Sequence, residues 1–413
     1  MIDKAVIIST GDELIEGGVV DTNSPLIAER LSALGIDIAA VLKVGADRRK
    51  LHWALGQAST LSNLVIGTGG LGRGSFNLAA EVVAEFLGRK LQPGELVTEP
   101  LLDRLEARGP STGVGNFQQA LLPEGSVMIF NPAGPTPGFR TSMGDQKSLI
   151  WMPGMPREMV MMLSETVVPW ILDQHPTREP RSIYTAKIYG LAETKLSNLL
   201  KPLALPEEAN LSFREDFPDF SLRLTVGDEQ AQAVIFETLK HQIERILAPY
   251  IYAEGSETME EVVGRLLTAK HETLALAESC TGGYISHRIT RVAGSSTYYY
   301  GGAVTYSNDA KVRYLGVNPR TLKEHGAVSR ETALEMSAGV RERLATTIGV
   351  GVTGIAGPGG GSREKPVGTV WISIAGSDLH EARLFRFDGD RERIILGASQ
   401  AALNWLRMNL RDM

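Results

Sequence analysis

The chain is poor in the residues on which several common kinds of protein depend. It holds one cysteine, Cys280, in 413 residues. That excludes an intrachain disulfide framework and any zinc site built from several thiolates. The seven histidines, at positions 52, 175, 241, 271, 287, 325 and 380, are scattered, and no HExxH spacing occurs. No run approaches the ~20 apolar residues that span a bilayer. The start, Met1-Ile2-Asp3-Lys4 followed by the short apolar Ala5–Ile8, lacks the basic, long-apolar pattern of a signal peptide. The expectation is a cytoplasmic protein that engages no membrane. Nor is there a cationic surplus. Forty-two basic against 48 acidic residues leave a net charge of −6, which disfavours a surface that coats nucleic acid.

What is present reads as a folded α/β protein. Hydrophobic residues make up 43% and charged residues 22%, ordinary values for a globular chain. Glycine is abundant, 44 of 413, against a usual ~7%. Ala5–Ser9 and Asn63–Gly67 read as buried strands, and Ser24–Leu34 reads as a helix with Leu26, Ile27, Leu31 and Leu34 at helical spacing. Such alternation predicts a parallel sheet with helices on both faces. A polar stretch, His175–Pro180, then leads into strands at Ile183–Ile188 and Phe220–Thr225 and a helix at Gln230–Leu247. This reads as a small α+β module without a catalytic-looking cluster. Alternation resumes with helices at Thr258–Lys270, Tyr284–Thr290, Ala310–Leu315, Arg330–Arg343 and Arg391–Asn409. The strands between them are Thr273–Ala277, Ala303–Tyr306, Gly349–Thr353 and Gly368–Ile374. The expected organisation is two α/β domains, 1–172 and 255–413, joined by the module at 173–254.

Three clusters in the last third carry chemistry. Ala277-Glu278-Ser279-Cys280-Thr281-Gly282-Gly283 lies between a strand and a helix. A serine there stands beside free backbone N–H groups able to hold a developing oxyanion; equally, Ser279 or Thr281 caps the helix. In Val304-Thr305-Tyr306-Ser307-Asn308-Asp309-Ala310-Lys311, the lysine falls in the first turn of a helix. That position, like burial, favours the neutral amine, which can take a proton from a serine hydroxyl. A solvated Lys311 and a merely packed Tyr306 are the competing readings. Thr353-Gly354-Ile355-Ala356-Gly357-Pro358-Gly359 follows a strand; its backbone suits a phosphate, but it lacks the GK[ST] ending of a P-loop. Cys280 is the rival nucleophile, although no histidine lies in any of the three clusters to serve it.

Together these stretches, with Gly326–Ser329 and Lys365–Trp371, resemble the competence/damage-inducible CinA family and its C-terminal nicotinamide mononucleotide (NMN) deamidase domain. The resemblance implies an amidohydrolase that converts NMN and water to nicotinic acid mononucleotide and ammonia, without a cofactor. It also implies a three-layer α/β fold and a serine–lysine pair. The serine maps to Ser279, the lysine to Lys311, and Tyr306 to a nearby tyrosine that helps position the proton path. The backbone at Thr281, Gly282 and Gly283 is the oxyanion-hole candidate. Thr353, Gly354 and Gly357 are expected to line the nucleotide, and Arg391 to meet its phosphate. The expected partners are this small molecule and a second copy of the chain, and no nucleic acid.

The first domain resembles the family's molybdopterin-binding-like domain through Thr10–Leu14, Asp21–Asn23 and Thr68–Gly72. In relatives that domain can hydrolyse ADP-ribose with a divalent metal. Here the two acids of the family pattern are Phe76 and Asn77, and the lysine of a later motif is absent from Asn116–Ala120. Hard cations need carboxylate oxygens, so a divalent metal and pyrophosphate cleavage are not expected. Asp12, Glu13 and Asp21 remain. The alternative functions are an ADP-ribose pyrophosphatase, and a non-enzymatic nucleotide- or partner-binding protein linked to competence or DNA damage.

Overall fold

Runs of buried apolar residues build the frame at both ends of the chain. The structure, a computed structural model, describes residues 2–71, 77–93, 121–144, 146–174, 182–227 and 232–412. Phe76, Asn116–Ala120, the stretch His175–Pro180 and the expected helix start at Gln230 lie outside the described residues. The chain divides into two compact units, 1–183 with 226–233, and 184–225 with 234–413.

In the first unit, β1 (Lys4–Thr10), α1 (Asn23–Ala33), β2 (Asp37–Val44), α2 (Arg48–Leu61), β3 (Leu64–Thr68) and α3 (Leu78–Phe86) alternate. Three strands follow: β4 (Val127–Ile129), β5 (Gly138–Ser142) and β6 (Ser148–Met152). The sheet order is β2-β1-β3-β6-β5-β4. β2, β1, β3 and β6 are parallel, whereas β5 pairs antiparallel with both β6 and β4. The expected all-parallel sheet is thus corrected at one edge. The connections into β5 and β6 are too short for a helical crossover, which takes a dozen residues or more, so these strands close as hairpins.

The second unit begins with a small sheet of order β8-β9-β7-β10, made of β7 (Ser182–Ile188), β8 (Ala209–Asp216), β9 (Asp219–Val226) and β10 (Ile251–Glu254). Two helices accompany it, α5 (Glu193–Leu200) and α6 (Gln232–Leu247), counted after α4 (Pro156–Met162) of the first unit. The remainder is α7 (Met259–Lys270), β11 (Leu274–Glu278), α8 (Tyr284–Thr290), β12 (Tyr299–Val304), α9 (Asn308–Leu315), α10 (Pro319–His325) and α11 (Arg330–Leu344). It ends with β13 (Ile348–Gly354), β14 (Thr369–Ala375), β15 (His380–Arg386) and α12 (Arg391–Asp412). The strand order is β12-β11-β13-β14-β15, with the first three strands parallel and β14 antiparallel to both of its neighbours. One face buries Leu276, Val350 and Ile372 against α7, α8 and α12, through Val263, Ile285 and Leu406. The other buries Ala275 and Ala277 against Leu315, Met336 and Val340 of α9 and α11. Three layers result.

Two local features differ from the sequence reading. Strand β15 is additional; its mostly exposed, charged residues hide the apolar signal of a strand while protecting an open edge. Strand β12 ends at Val304 and includes Gly301 and Gly302, so Tyr306 stands beyond the strand rather than at its end. A Cβ at residue 302 would lie 2.8 Å from the Leu276 carbonyl oxygen, so glycine is what lets β12 approach β11.

Candidate active site

Strand β11 is central among the three parallel strands, with β12 on one side and β13 on the other. This is a topological switch point, where the loops leave the carboxyl ends of adjacent strands in opposite directions and open a crevice. Ser279 follows the last residue of β11. Its N–H donates to the Val352 carbonyl (2.9 Å), and the Thr305 N–H donates to the Glu278 carbonyl (2.8 Å). Ser279 therefore sits between Thr353 and Thr305, held from both sides by the sheet.

Lys311 comes to it from α9. Ser307 caps that helix by accepting the Ala310 N–H (3.1 Å), and Gly316 ends it in the left-handed region at φ 74°. This fixes the helix so that Lys311 points inward. Its side chain is 1% exposed. Nζ donates to Ser279 Oγ at 3.0 Å and to the Thr305 carbonyl at 2.7 Å. Among the described residues no carboxylate neutralises it. Burial lowers its pKa below the ordinary lysine value. With the amine neutral, one N–H still reaches Thr305 and the lone pair is free to accept the serine hydroxyl proton.

Cys280 is placed differently. It is 5% exposed and belongs to the hydrophobic core. Burial, assisted by the Glu278 charge, pushes its thiol up to about 12. At neutral pH it is a packed thiol, not a thiolate nucleophile.

The turn after Ser279 corrects one expectation. The N–H of Gly282 is taken by the Ser279 carbonyl (3.1 Å) and that of Gly283 by the Glu278 carboxylate (3.0 Å). Glu278 also accepts from the N–H groups of Ile285 (3.1 Å) and Ser286 (2.8 Å) and from the Ser286 hydroxyl (2.6 Å). The donors at the start of α8 are thus consumed by a buried carboxylate. Gly282 and Gly283 are glycines because the turn holds them at φ 64° and 96°. The N–H groups without an acceptor among the described residues are those of Cys280 and Thr281, one step closer to Ser279. The hydroxyls of Thr281 and Thr305 are likewise buried without a hydrogen-bond partner among the described residues.

The remaining expected residues form a second group. Tyr306 is 63% exposed, and its hydroxyl accepts from Arg391 Nη2 (2.8 Å). Arg391 Nη1 donates to the Gly357 carbonyl (2.7 Å). Arg391 thereby ties the start of α12 to the loops after β12 and β13. The Thr353 hydroxyl is engaged by the Ala327 carbonyl (2.7 Å). Gly354 is packed against Val370 and the Thr369 backbone; that packing is reason enough for a glycine there. Glu278 is the residue whose part the sequence reading left unassigned. The available signal was a carboxylate closing an otherwise apolar buried strand.

The chain resembles known proteins throughout. Residues 256–410 match the family described as "CinA C-terminal domain", and residues 6–173 match "Probable molybdopterin binding domain". A CinA-like protein of Geotalea daltonii is 40% identical over 410 residues, covering 98% of this chain and 99% of its own. The chain belongs to the CinA-like protein family. A CinA-like protein of Syntrophotalea carbinolica is 37% identical over 407 residues, with 98% of both chains covered. A solved structure described as competence/damage inducible protein CihA from Agrobacterium tumefaciens is 41% identical. It covers 38% of this chain and 97% of its own, with a TM-score of 0.35. No helix among the described residues is long and apolar enough to cross a membrane.

Proposed function

We propose that this CinA-like chain hydrolyses the carboxamide of NMN to nicotinic acid mononucleotide and ammonia, with Ser279 as nucleophile and Lys311 as general base. The observation that carries this reading is the 3.0 Å contact of Ser279 Oγ with an amine that is buried and has no carboxylate partner among the described residues. The neutral amine takes the Ser279 proton as Oγ attacks the carboxamide carbon. The oxyanion meets the N–H groups of Cys280 and Thr281. The lysine ammonium returns the proton to the departing nitrogen, the C–N bond breaks and ammonia leaves. Water, activated by the same amine, then cleaves the seryl ester. Arg391, whose guanidinium is oriented by Tyr306 and the Gly357 carbonyl, is assigned to the nucleotide phosphate in this reading. No cofactor enters any step. The direct test is ammonia release from NMN by the purified full chain; binding of NMN without turnover rejects the reading in favour of a nucleotide-binding protein.

The pH dependence follows from Lys311. Its pKa is lowered, so the active neutral amine is populated at lower pH than in ordinary lysine. kcat/KM is expected to rise with pH through that lowered pKa and to level off below about 10.5. A profile that falls across this range contradicts a lysine base.

We propose further that the first unit does not cleave ADP-ribose. The side chains left there do not suit a hard cation. The Asn77 amide donates to the Leu121 carbonyl (3.0 Å), Asp21 faces Lys43 at 3.5 Å, and Asp12 accepts the Ala46 N–H at 2.8 Å. Among the described residues no group of three or more metal-ligating side chains occurs. ADP-ribose with Mg²⁺, Mn²⁺ or Co²⁺ is expected to remain intact, as followed by release of AMP; steady turnover overturns this.

A further inference from the structure

Near its far end α12 buries a guanidinium that no carboxylate pairs with among the described residues. Arg407 is 4% exposed. Its Nε donates to Asn404 (3.0 Å), one turn back on the same helix. Its two terminal nitrogens have no acceptor among the described residues. Burial, and next the charge of Arg411, lower the hold of this guanidinium on its proton, and among the described residues no carboxylate opposes them. Arginine nevertheless stays charged in proteins, and a buried charge without a counter-ion is strongly disfavoured.

Arg407 lines a groove of about 420 Å³ between β10, α7 and α12, together with Val262, Leu266, Arg265 and Arg411. The two carboxylates on its rim are already engaged. Glu257 takes Arg265 through two contacts of 2.9 Å, and Glu254 lies 3.6 Å from Lys240. Arg407 and Arg411, four residues apart on one helix face, are therefore two adjacent cations that disfavour each other. At 1.5 Å per residue, Arg407 lies about 24 Å along α12 from Arg391, so the groove is separate from Ser279 and Lys311.

We propose that this groove binds the phosphate monoester group of a small metabolite, with Arg407 and Arg411 as its cationic ligands. Two guanidinium forks match the double charge and several acceptor oxygens of a phosphate monoester; a carboxylate would leave one cation unbalanced. The groove is several times larger than a phosphate ion, and Val262 and Leu266 give the rest of the molecule an apolar wall. This inference is independent of the proposed reaction.

The test is calorimetric titration of the full chain at low chloride with ribose 5-phosphate, inorganic phosphate and acetate. An Arg391→Gln background removes the anion contact at the candidate active site. The expected result is saturable binding of ribose 5-phosphate at one site per chain, with inorganic phosphate weaker and acetate weakest. Arg411→Gln should weaken ribose 5-phosphate about tenfold, and Arg407→Gln should abolish binding. Arg411 is exposed, so its variant decides the matter if Arg407→Gln does not fold. Absence of saturable binding, unchanged affinity in Arg411→Gln, or acetate or inorganic phosphate binding as tightly as the ester overturns the proposal.

Discussion

Ser279→Ala is expected to lower ammonia release from NMN by roughly 10³-fold or more, and Lys311→Ala by a comparable factor. Lys311→Arg should be equally inactive although it keeps the charge, because arginine provides no neutral amine at accessible pH. The double variant should be hardly slower than either single one, since nucleophile and base act as a unit and neither is useful alone. Cys280→Ala, one position away, should stay within a few-fold of the parent. Its thiol is packed in the core and pushed up to about 12, far from the thiolate a nucleophile requires. Steady-state rates from coupled ammonia detection on the five variants decide the matter. Activity retained in Ser279→Ala and lost in Cys280→Ala transfers the nucleophile to cysteine and removes the proposed mechanism.

The sequence made the pair legible because each member lies in a pattern that local rules recognise. Ser279 stands between an apolar strand and two glycines, and Lys311 lies four residues after a serine cap. Such rules fix where a residue stands along its own strand or helix. They do not fix which of two backbone donors is free. Thr281, Gly282 and Gly283 are the oxyanion candidates of the sequence, yet the N–H groups of the two glycines are spent inside the turn, and it is Thr281 and its neighbour Cys280 that keep theirs. That distinction depends on how the turn closes on the Ser279 carbonyl and where the Glu278 side chain points, which composition and spacing leave open. The same limit applies to Tyr306. Its position beyond β12 depends on where that strand ends, and the close approach of β12 to β11 at Gly302 is a property of packing. Strand β15 escaped for the opposite reason, since an edge strand with charged, exposed faces carries almost no hydrophobic period.

Glu278 bears the second large effect. Its side chain lies under the turn that presents Ser279 and accepts four hydrogen bonds, three of them from the backbone of Gly283, Ile285 and Ser286. In Glu278→Ala those N–H groups lose their acceptor. Ile285 is buried, so its donor has no water to turn to, whereas Gly283 and Ser286 are partly exposed and recover some solvation. An unsatisfied buried donor costs ~1–3 kcal/mol, so the second unit should lose about 3 kcal/mol in total. For a unit of this size that is a fall of roughly 6–12 °C in its unfolding midpoint by calorimetry. Activity should fall more than the stability loss accounts for. With the turn released, the N–H groups of Cys280 and Thr281 no longer face the position of the oxyanion, and misplacement of such donors costs ~10²-fold. The loss should appear in kcat with KM little changed at a temperature where the variant is folded, since Glu278 touches the turn and not the expected substrate. Glu278→Gln keeps the shape and one accepting oxygen, and should recover part of both midpoint and rate. A Glu278→Ala protein with a parental midpoint and parental kcat is inconsistent with the carboxylate positioning this turn.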